Sequence, residues 1–367
     1  MASRPLRIGL VGATPDRGWA PRAHVPAYRA LEEFELAGIC TGRPETAAAA
    51  AEAFGVKFSS SDYQEFVRSP EIDVVSVSTR ILLHHPISKA ALEAGKHVFC
   101  EWPLTVTADQ AQELADIARS KGVRAITGLQ SRFAPAFLHM KELLDQGYLG
   151  QMLSFNMTML LSGAMNPRPS YYNFTAAKSS GFGALSIACG HATDTLNWLV
   201  GGIEAVTAQV STQIKTWTPP DTGEQLAVTS PDNVGYLARL RNGAVGSVQI
   251  CNTAHAGTGF RLEVFGTGGK LAAQSFGMLE LSLVRLTGAK IGEKEAEIAL
   301  PDRHTWVSGL PIDGPAFNMA QLFRRFGQAI DSGADVPPSF VDGAAMHRML
   351  EAIDRSSDTT QWVTIGQ

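Results

Sequence analysis

The sequence has no long apolar run and no long basic run. No stretch of roughly 18 consecutive apolar residues occurs in its 367 residues, so we expect no membrane-spanning helix and no membrane partner. The 31 Lys and Arg residues are scattered among 35 Asp and Glu residues, and the formal net charge is -4. Because nucleic-acid binding needs concentrated positive charge, we expect no nucleic-acid partner and favour a small-molecule partner.

Cysteines are also few and scattered. Cys40, Cys100, Cys189 and Cys251 stand far apart and form no C-x-x-C pair, so we interpret them as buried thiols in preference to metal ligands or disulfides. The first residues lead directly into a β-rich run and lack the apolar stretch that is typical of a signal peptide. We therefore expect a cytoplasmic protein.

The first third of the chain has the pattern of an α/β domain. The full chain of 367 residues is longer than one hydrophobic core usually supports, so two domains are expected. Short, wholly apolar runs alternate with helical patterns, which is typical of a doubly wound parallel sheet built from βαβ units. The predicted first domain covers residues 1–130, with strands at 7–11, 35–40, 74–79, 97–101 and 124–127 and helices at 44–54 and 108–120.

After residue 150 the pattern changes to alternating strands with few helices. Turn sequences separate some of these strands, notably Arg241-Asn242-Gly243 and Gly266-Thr267-Gly268-Gly269. We therefore predict a second, α+β domain over 131–367 with a large, mostly antiparallel open sheet. Its expected strands are 153–161, 205–214, 234–240, 244–250 and 261–265, and its expected helices are 191–200 and 318–332.

A glycine turn follows the first strand. Such a turn lets backbone N–H groups and a helix N-terminus face a pyrophosphate. The segment differs from G-x-G-x-x-G, because Thr14 occupies the second glycine position and the third glycine, Gly18, comes one residue late. An ordinary strand-to-helix turn is the alternative. The position of Gly12 at the head of a βαβ array favours a dinucleotide-binding turn.

The end of the second predicted strand bears on the choice of cofactor. An acidic residue usually stands there and accepts a hydrogen bond from the adenine ribose 2′-hydroxyl. Here Cys40 is followed by Thr41, Gly42 and Arg43, which removes the carboxylate and supplies a guanidinium. We therefore favour NADP over NAD, with a solvated loop arginine as the alternative reading of Arg43.

Eight further segments occur in the order that one family shows. They resemble the Gfo/Idh/MocA oxidoreductases over nearly the whole chain: 73–79 with Ser78 and Thr79, His84, 96–104 with Glu101-Trp102-Pro103, 128–133 with Gln130 and Arg132, 181–185, 191–194, 232–234 and 261–267. The resemblance implies a Rossmann domain that binds NAD or NADP and a nicotinamide held between the two domains. It also implies a carbohydrate-like substrate such as a sugar or polyol, and a homodimer or homotetramer.

Two positions depart from the family pattern. The family's E-K-P motif carries a lysine that binds substrate, and Trp102 stands at that position here. An aspartate usually precedes the catalytic histidine by four residues, and Ile187 stands there, so only His191 of the three polar groups is kept. Tryptophan can stack on a ring but has no titratable proton.

Four features resemble one branch of the family, the branch that contains the fungal galactose-pathway repressor. They are the glycine turn with Trp19, the pair Glu101-Trp102, the pair Ser131-Arg132 and the run Cys189-Gly190-His191. That resemblance leaves two functions open. One is an oxidoreductase that transfers a hydride to or from a hydroxy or keto compound. The other is a non-catalytic regulator or sensor that binds a dinucleotide.

His191 is the candidate general acid/base, because an unperturbed imidazole pKa near 6.5 suits proton transfer at neutral pH. Tyr172 is a second catalytic candidate that could relay a proton. Capping or packing roles are the alternatives for both residues. His191 and Asp194 are three apart on a predicted helix, but no third ligand is identifiable by spacing, so we expect no catalytic metal.

The remaining candidates would contact the cofactor. The strongest stacking candidates are Trp19 and Trp102. Gln130 and Arg132 follow the last Rossmann strand, where a structural salt bridge is the alternative for the arginine. His84 is expected beside the phosphates or ribose, with helix capping as the alternative. The full predicted cofactor set is Gly12, Thr14, Gly18, Trp19, Thr41, Arg43, Ser78, Thr79, His84, Glu101, Trp102, Gln130 and Arg132.

Overall fold

The computed structural model describes residues 4–366, which divide into two compact units. The first unit contains the chain up to Gln130 together with Thr305–Ala345. The second contains Ser131–His304 and the residues from Met346 onward.

Within the described residues, the α-helices are α1 (Val25–Arg29), α2 (Pro44–Phe54), α3 (Tyr63–Phe66), α4 (His84–Glu93), α5 (Ala108–Lys121), α6 (Pro135–Asp145), α7 (Cys189–Val200), α8 (Pro315–Ser332) and α9 (Phe340–Thr359). Shorter π-helical or 3-10 turns span Ala20–His24, Ile81–Leu83, Gln130–Phe133, Gly163–Met165, Ser170–Ala176, Lys178–Ser180, Ala184–Ala188 and Asp302–His304.

The strands are β1 (Leu6–Val11), β2 (Phe34–Cys40), β3 (Phe58–Ser60), β4 (Val74–Val77), β5 (His97–Cys100), β6 (Ala125–Thr127), β7 (Met152–Leu160), β8 (Ile203–Ser211), β9 (Thr216–Trp217), β10 (Leu226–Ala227), β11 (Asn233–Leu240), β12 (Val245–Cys251), β13 (Gly259–Gly266), β14 (Gly269–Ser275), β15 (Arg285–Lys290), β16 (Ala296–Glu297) and β17 (Val363–Thr364).

The first unit is built on a parallel sheet. Its strand order is β3-β2-β1-β4-β5-β6, and every neighbouring pair is parallel. This is the order of a doubly wound dinucleotide-binding sheet, in which ligands bind beyond the carboxyl ends of the strands where the order reverses. The reversal lies at β1 and β4, so the residues that follow Val11 and Val77 occupy that position. The predicted Rossmann fold is confirmed.

The apolar runs form this sheet because helices cover both of its faces. The side chains of Ile8, Leu10 and Val75 are fully buried, as expected for central parallel strands. The helix α5 begins at its predicted N-cap, where Thr107 Oγ1 accepts a hydrogen bond from the Gln110 backbone N–H at 3.3 Å. The three-residue strand β3 was not predicted, because so short a run has no readable periodicity.

The late segment Thr305–Ala345 belongs to the first unit. Phe323 of α8 is fully buried, and its ring centroid lies 4.8 Å from those of Tyr28 and Phe99 and 5.7 Å from that of Phe34. The assignment of Thr305–Ala345 to the first unit differs from the predicted division, in which residues 131–367 form one domain. The physical reason is that the apolar face of α8 completes the core beside α1 and β5, a contact distant in sequence.

The second unit is built on a nine-stranded sheet. Its order is β16-β15-β14-β13-β7-β12-β11-β8-β17, with only β7 and β12 parallel among these neighbours. The two predicted turn sequences join antiparallel β11 to β12 and β13 to β14. Burial alternates along β11, where Tyr236 is buried and Leu237 is half exposed. The predicted large, mostly antiparallel sheet is confirmed, whereas the twenty-residue helix α9 was not predicted.

The cysteines are free thiols. Cys40, Cys100 and Cys189 are buried, as predicted, and Cys251 is partly exposed. Burial raises the pKa of Cys40 and of Cys189 to about 12, so both thiols stay protonated at neutral pH. No helix in residues 4–366 combines the length and apolarity that crossing a membrane requires.

Replacing Phe323 by Ala tests the assignment of Thr305–Ala345 to the first unit. Because the ring is fully buried among three other aromatic side chains, we expect a loss of about 3–5 kcal/mol in the free energy of unfolding. Urea unfolding followed by circular dichroism measures it. Leu82→Ala is the control, since Leu82 is 59% exposed and should change stability by less than about 0.5 kcal/mol. Equal effects of the two substitutions would contradict the packing described here.

Candidate functional site

The turn after β1 approaches the loop after β4 at Gly12. The Gly12 backbone has a φ of +97°, and a Cβ placed there would lie 2.3 Å from the Ser78 carbonyl oxygen and 2.6 Å from Thr79 Cγ2. Only glycine fits this approach. The structure therefore brings three predicted residues, Gly12, Ser78 and Thr79, together at the carboxyl edge of the parallel sheet.

The rest of the turn is held mainly by its own groups. Thr14 Oγ1 donates a hydrogen bond to the Arg17 carbonyl oxygen at 2.9 Å. Gly18 is exposed, with a φ of +85° that favours glycine and no atom within 4 Å of an added Cβ, and its contact with the cofactor stays a prediction. Trp19 is partly exposed, and its carbonyl oxygen accepts from the Ala23 N–H at 2.9 Å at the start of the π-helical turn.

The end of β2 presents a cation to solvent. The side chain of Arg43 is 69% exposed, and its Nε lies 3.5 Å from Glu45 Oε1. The Thr41 hydroxyl lies 2.6 Å from that of Thr46, which donates to the Arg43 carbonyl oxygen at 2.9 Å. Glu45 therefore offsets part of the Arg43 charge, while the turn between residues 41 and 43 carries no carboxylate.

A buried polar network joins this edge to the end of β5. His24 is fully buried, and its Nε2 lies 2.5 Å from Oε1 of Glu101. On the other side of the ring, Nδ1 lies 2.8 Å from the Tyr28 hydroxyl, which lies 2.7 Å from Ser76 Oγ in β4. Sequence reasoning missed His24, because a lone histidine in an Ala- and Pro-containing helical start has no motif. The network fixes the carboxylate of the predicted residue Glu101.

Glu101 and Trp102 lie against the turn after β6. A Cβ on Gly128 would lie 2.6 Å from Glu101 Oε2 and 3.0 Å from the Trp102 backbone nitrogen, so a larger residue at position 128 would displace the Glu101 carboxylate. Trp102 is only 5% exposed. Gln130 is buried as well, and its Oε1 has no hydrogen-bond partner within residues 4–366. A buried amide oxygen without a partner fits a ligand that supplies a donor.

His84 has a structural role that differs from the predicted one. The ring is buried, with Nδ1 2.8 Å from the Pro103 carbonyl oxygen and Nε2 3.1 Å from the Thr79 carbonyl oxygen. Burial lowers the pKa of His84, so the neutral ring donates to one of the two oxygens at a time. It links the loop after β4 to Pro103 and has no further nitrogen to offer a cofactor.

These features of the first unit fit a dinucleotide. Gly12 lets the turn after β1 approach the Ser78 carbonyl oxygen at the carboxyl edge of the sheet, and Gln130, which follows the edge strand β6, provides a buried acceptor. The acidic residue that would bind a ribose 2′-hydroxyl is absent from the end of β2.

In the second unit, His191 lies in the first turn of α7. Its side chain is 7% exposed, and burial lowers the pKa of His191 to about 3, so the imidazole is neutral at physiological pH. Its Nδ1 is buried and has no hydrogen-bond partner in the described part of the chain. Ile187 lies in the preceding π-helical turn and supplies no polar group.

A carboxylate nevertheless lies near His191. Oε1 of Glu280 is 3.9 Å from His191 Nε2, and the Glu280 side chain is 4% exposed. Glu280 follows β14 in an irregular segment, Phe276 to Val284, and belongs to none of the sequence motifs. Sequence reasoning missed it because only the folded chain brings it to α7. The acidic group near His191 thus comes from position 280 in place of 187.

Arg132 forms a buried ion pair. Its Nε donates to Asp194 Oδ2 at 2.8 Å and one Nη donates to Oδ1, with side-chain exposures of 10% and 2%. This is the salt bridge that stood as the alternative for Arg132, and it occupies two of its donors. It also engages both oxygens of the Asp194 carboxylate.

Tyr172 lies on the surface. It belongs to the 3-10 turn Ser170–Ala176, is 38% exposed, and its ring centroid lies 4.0 Å from that of Tyr171. No hydrogen bond within residues 4–366 joins Tyr172 to His191, and its catalytic role stays a prediction. The two neighbouring rings, tilted by 34°, form an exposed aromatic surface.

Two family models match the chain. The model described as the oxidoreductase family with an NAD-binding Rossmann fold matches residues 6–129, and the model of the GFO/IDH/MocA C-terminal domain matches residues 137–272. Together they cover the parallel sheet of the first unit and the strands β7 to β13 of the second.

Individual relatives include dehydrogenases and a regulator. Levoglucosan dehydrogenase of Pseudarthrobacter phenanthrenivorans is 30% identical, over 99% of this chain and 98% of that protein. The solved structure of levoglucosan dehydrogenase in complex with NADH and L-sorbose is similar with a TM-score of 0.87, at 30% identity and covering 100% of both chains. The galactose/lactose metabolism regulatory protein GAL80 of Saccharomyces cerevisiae is 26% identical, over 66% of this chain and 59% of the regulator. The fold, the two matched models and the full-length similarity place this chain in the Gfo/Idh/MocA oxidoreductase family.

Proposed function

We propose that the chain is an NAD(P)-dependent oxidoreductase that transfers a hydride to or from a sugar, polyol or related hydroxy or keto compound. The observation that carries this proposal is a buried, neutral histidine with a carboxylate 3.9 Å from its Nε2. The neutral ring can accept a proton, and the nearby carboxylate opposes the effect of burial, which disfavours the resulting cation.

His191 acts on the substrate hydroxyl. When the dinucleotide is bound, its nicotinamide C4 supplies or accepts the hydride. In oxidation, Nε2 of His191 takes the hydroxyl proton as the carbon–oxygen double bond forms. Glu280 stabilises the imidazolium that results. In reduction, the same nitrogen returns the proton to the oxygen.

The first unit binds the dinucleotide in this proposal. Gly12, Ser78 and Thr79 form the backbone cradle, and the His24 network holds Glu101 beside Trp102. Gln130 supplies the buried acceptor. Thr14, Gly18 and Trp19 shape the turn. Arg132 acts as a positioning residue for α7 through Asp194.

For the cofactor, we propose that Arg43 gives NADP an advantage over NAD. Its exposed guanidinium at the end of β2 and the missing carboxylate support binding of a 2′-phosphate. The family model is NAD-binding and levoglucosan dehydrogenase was solved with NADH, so NAD is the competing choice.

Relatives support a carbohydrate substrate. The names of two of them, levoglucosan dehydrogenase and the D-glucoside 3-dehydrogenase of Escherichia coli, specify sugars. The exposed aromatic pair Tyr171 and Tyr172 fits the apolar face of a sugar ring. We further propose a homodimer or homotetramer, supported by the half-exposed apolar residues Leu237 and Val245 on the large sheet and testable by light scattering.

A non-catalytic regulator is the second candidate function. Trp102 and Ile187 replace two polar groups of the family site, and the relative GAL80 is a regulatory protein. In that case the chain would bind a dinucleotide and turn nothing over.

Turnover assays separate the two functions. The protein is mixed with NAD or NADP and a panel of sugars, polyols and their oxidised forms, and the absorbance of reduced nicotinamide is followed. We expect turnover with at least one carbohydrate. Cofactor binding without turnover on the whole panel would support the regulator.

His191→Ala tests the proposed acid/base. We expect kcat to fall by about 10²- to 10⁴-fold while the dissociation constant of the cofactor stays the same, because only proton transfer is lost. His85→Ala, which changes a partly exposed histidine of the first unit, is the control. A fall in cofactor affinity without a change in kcat would contradict the assignment.

The pH profile examines the same residue. Because burial lowers the pKa of His191 to about 3, its base form persists well below the ordinary imidazole range. As the pH is lowered, kcat/KM for oxidation should therefore not decrease with a midpoint near pH 6.5. A His191-dependent loss of activity with that midpoint would exclude a buried neutral base.

Gly12→Ala tests the dinucleotide cradle. The added methyl would meet the Ser78 carbonyl oxygen, so we expect dinucleotide affinity, measured by the fluorescence of bound NADPH, to fall at least about tenfold. Gly95→Ala is the matched control, because Gly95 also has a positive φ but no atom within 4 Å of an added Cβ. Similar affinities of the two variants would argue against the cradle.

Arg43→Ala tests the cofactor preference. Loss of a charged contact to the 2′-phosphate should weaken NADP binding roughly tenfold and leave NAD binding nearly unchanged. Titration calorimetry with each cofactor measures both. An equal loss of affinity for NAD and NADP would mean that Arg43 does not distinguish a 2′-phosphate from a 2′-hydroxyl.

A further inference from the structure

Two histidines and a glutamate of the second unit, none of them assigned to the proposed redox site, converge on one point. His139 and Glu142 stand three apart on α6, and His304 ends the 3-10 turn Asp302–His304. Oε2 of Glu142 lies 3.1 Å from His139 Nδ1 and 3.0 Å from His304 Nε2. One ligand atom from each residue lies within 4.8 Å of the others.

The spacing of these atoms matches the coordination shell of a small cation. Imidazole nitrogen and carboxylate oxygen bind Zn²⁺ at about 2.0–2.2 Å, so two such ligands on a tetrahedral ion lie about 3.3 Å apart. The two observed separations from Oε2 are within a few tenths of that value. The side chains of His139, Glu142 and His304 are 10%, 27% and 13% exposed, which leaves the cluster partly shielded but open to an entering ion.

Glu142 supplies the carboxylate of the cluster. Its Oε2 lies at hydrogen-bond distance from both histidines. The same oxygen accepts from Arg303 Nη2 at 2.6 Å, and the Arg303 side chain is 58% exposed. A divalent ion would take the place of this guanidinium at Oε2.

We propose that His139, Glu142 and His304 form a binding site for a zinc-class divalent transition-metal ion. The two imidazoles and one carboxylate select such an ion over Mg²⁺ or Ca²⁺, which prefer oxygen ligands alone. Three protein ligands leave a further position for water. The ion joins α6 to the turn that precedes Thr305 and uses none of the residues assigned to the proposed redox site.

Zinc binding to the full chain tests the site. Chelator-treated protein is titrated with Zn²⁺ in competition with a chromophoric chelator, and Co²⁺ is used separately for its visible spectrum. We expect one ion per chain, an imidazole-type Co²⁺ spectrum and a higher unfolding temperature with Zn²⁺. His304→Gln and Glu142→Gln should each weaken Zn²⁺ binding more than about tenfold.

Two further variants separate a metal site from an ion-pair cluster. Arg303→Gln removes the competing cation and should strengthen Zn²⁺ binding. His85→Gln is the matched control, because His85 Nε2 lies 2.8 Å from Glu113 Oε2 in a His–Glu pair to which no second imidazole is assigned, and Zn²⁺ binding should not change. The proposal is overturned if no saturable binding occurs, or if binding survives undiminished in both His304→Gln and Glu142→Gln. Circular dichroism confirms that each variant is folded.

Discussion

The contact between His24 and Glu101 holds together the edge of the parallel sheet where a dinucleotide would bind. It connects the segment after β1 with the end of β5, and through Tyr28 it reaches Ser76 in β4. Leaving a buried polar group unsatisfied costs about 1–3 kcal/mol, so each member of this network constrains the others. The position of Trp102, next to Glu101, follows from the same constraint.

The second unit keeps a carboxylate near its histidine although the motif position has lost one. Ile187 cannot interact with a charge, but Glu280 places Oε1 within 3.9 Å of His191 Nε2 from an unrelated segment. Arg132 meanwhile engages Asp194 on the same helix. A substitution in a family motif therefore need not leave the histidine without a neighbouring carboxylate, because the fold can bring one from another segment. None of the residues described above replaces the lysine that the family has at the position of Trp102.

The sequence predicted what depends on periodicity and turns. The apolar runs of β1, β2, β4 and β5, the cap at Thr107 and the two hairpin turns were all readable, because each rests on local chemistry. The return of α8 to the first unit was not, since the contacts of Phe323 with Tyr28 and Phe99 join segments about 200 residues apart or more. His24 and Glu280 escaped for the same reason. Their roles depend on partners that only the tertiary structure supplies. The same is true of His84, whose two ring nitrogens lie near the carbonyl oxygens of Pro103 and Thr79.

The central claim is that this chain transfers hydride and does not merely bind a dinucleotide. Its most direct test uses reduced cofactor that carries deuterium at nicotinamide C4, incubated with the protein and a mixture of keto sugars and lactones, followed by mass spectrometry of the products. The account predicts one deuterium on a carbon that becomes a carbinol, and its loss in His191→Ala. Bound cofactor with no deuterium in any product would contradict it.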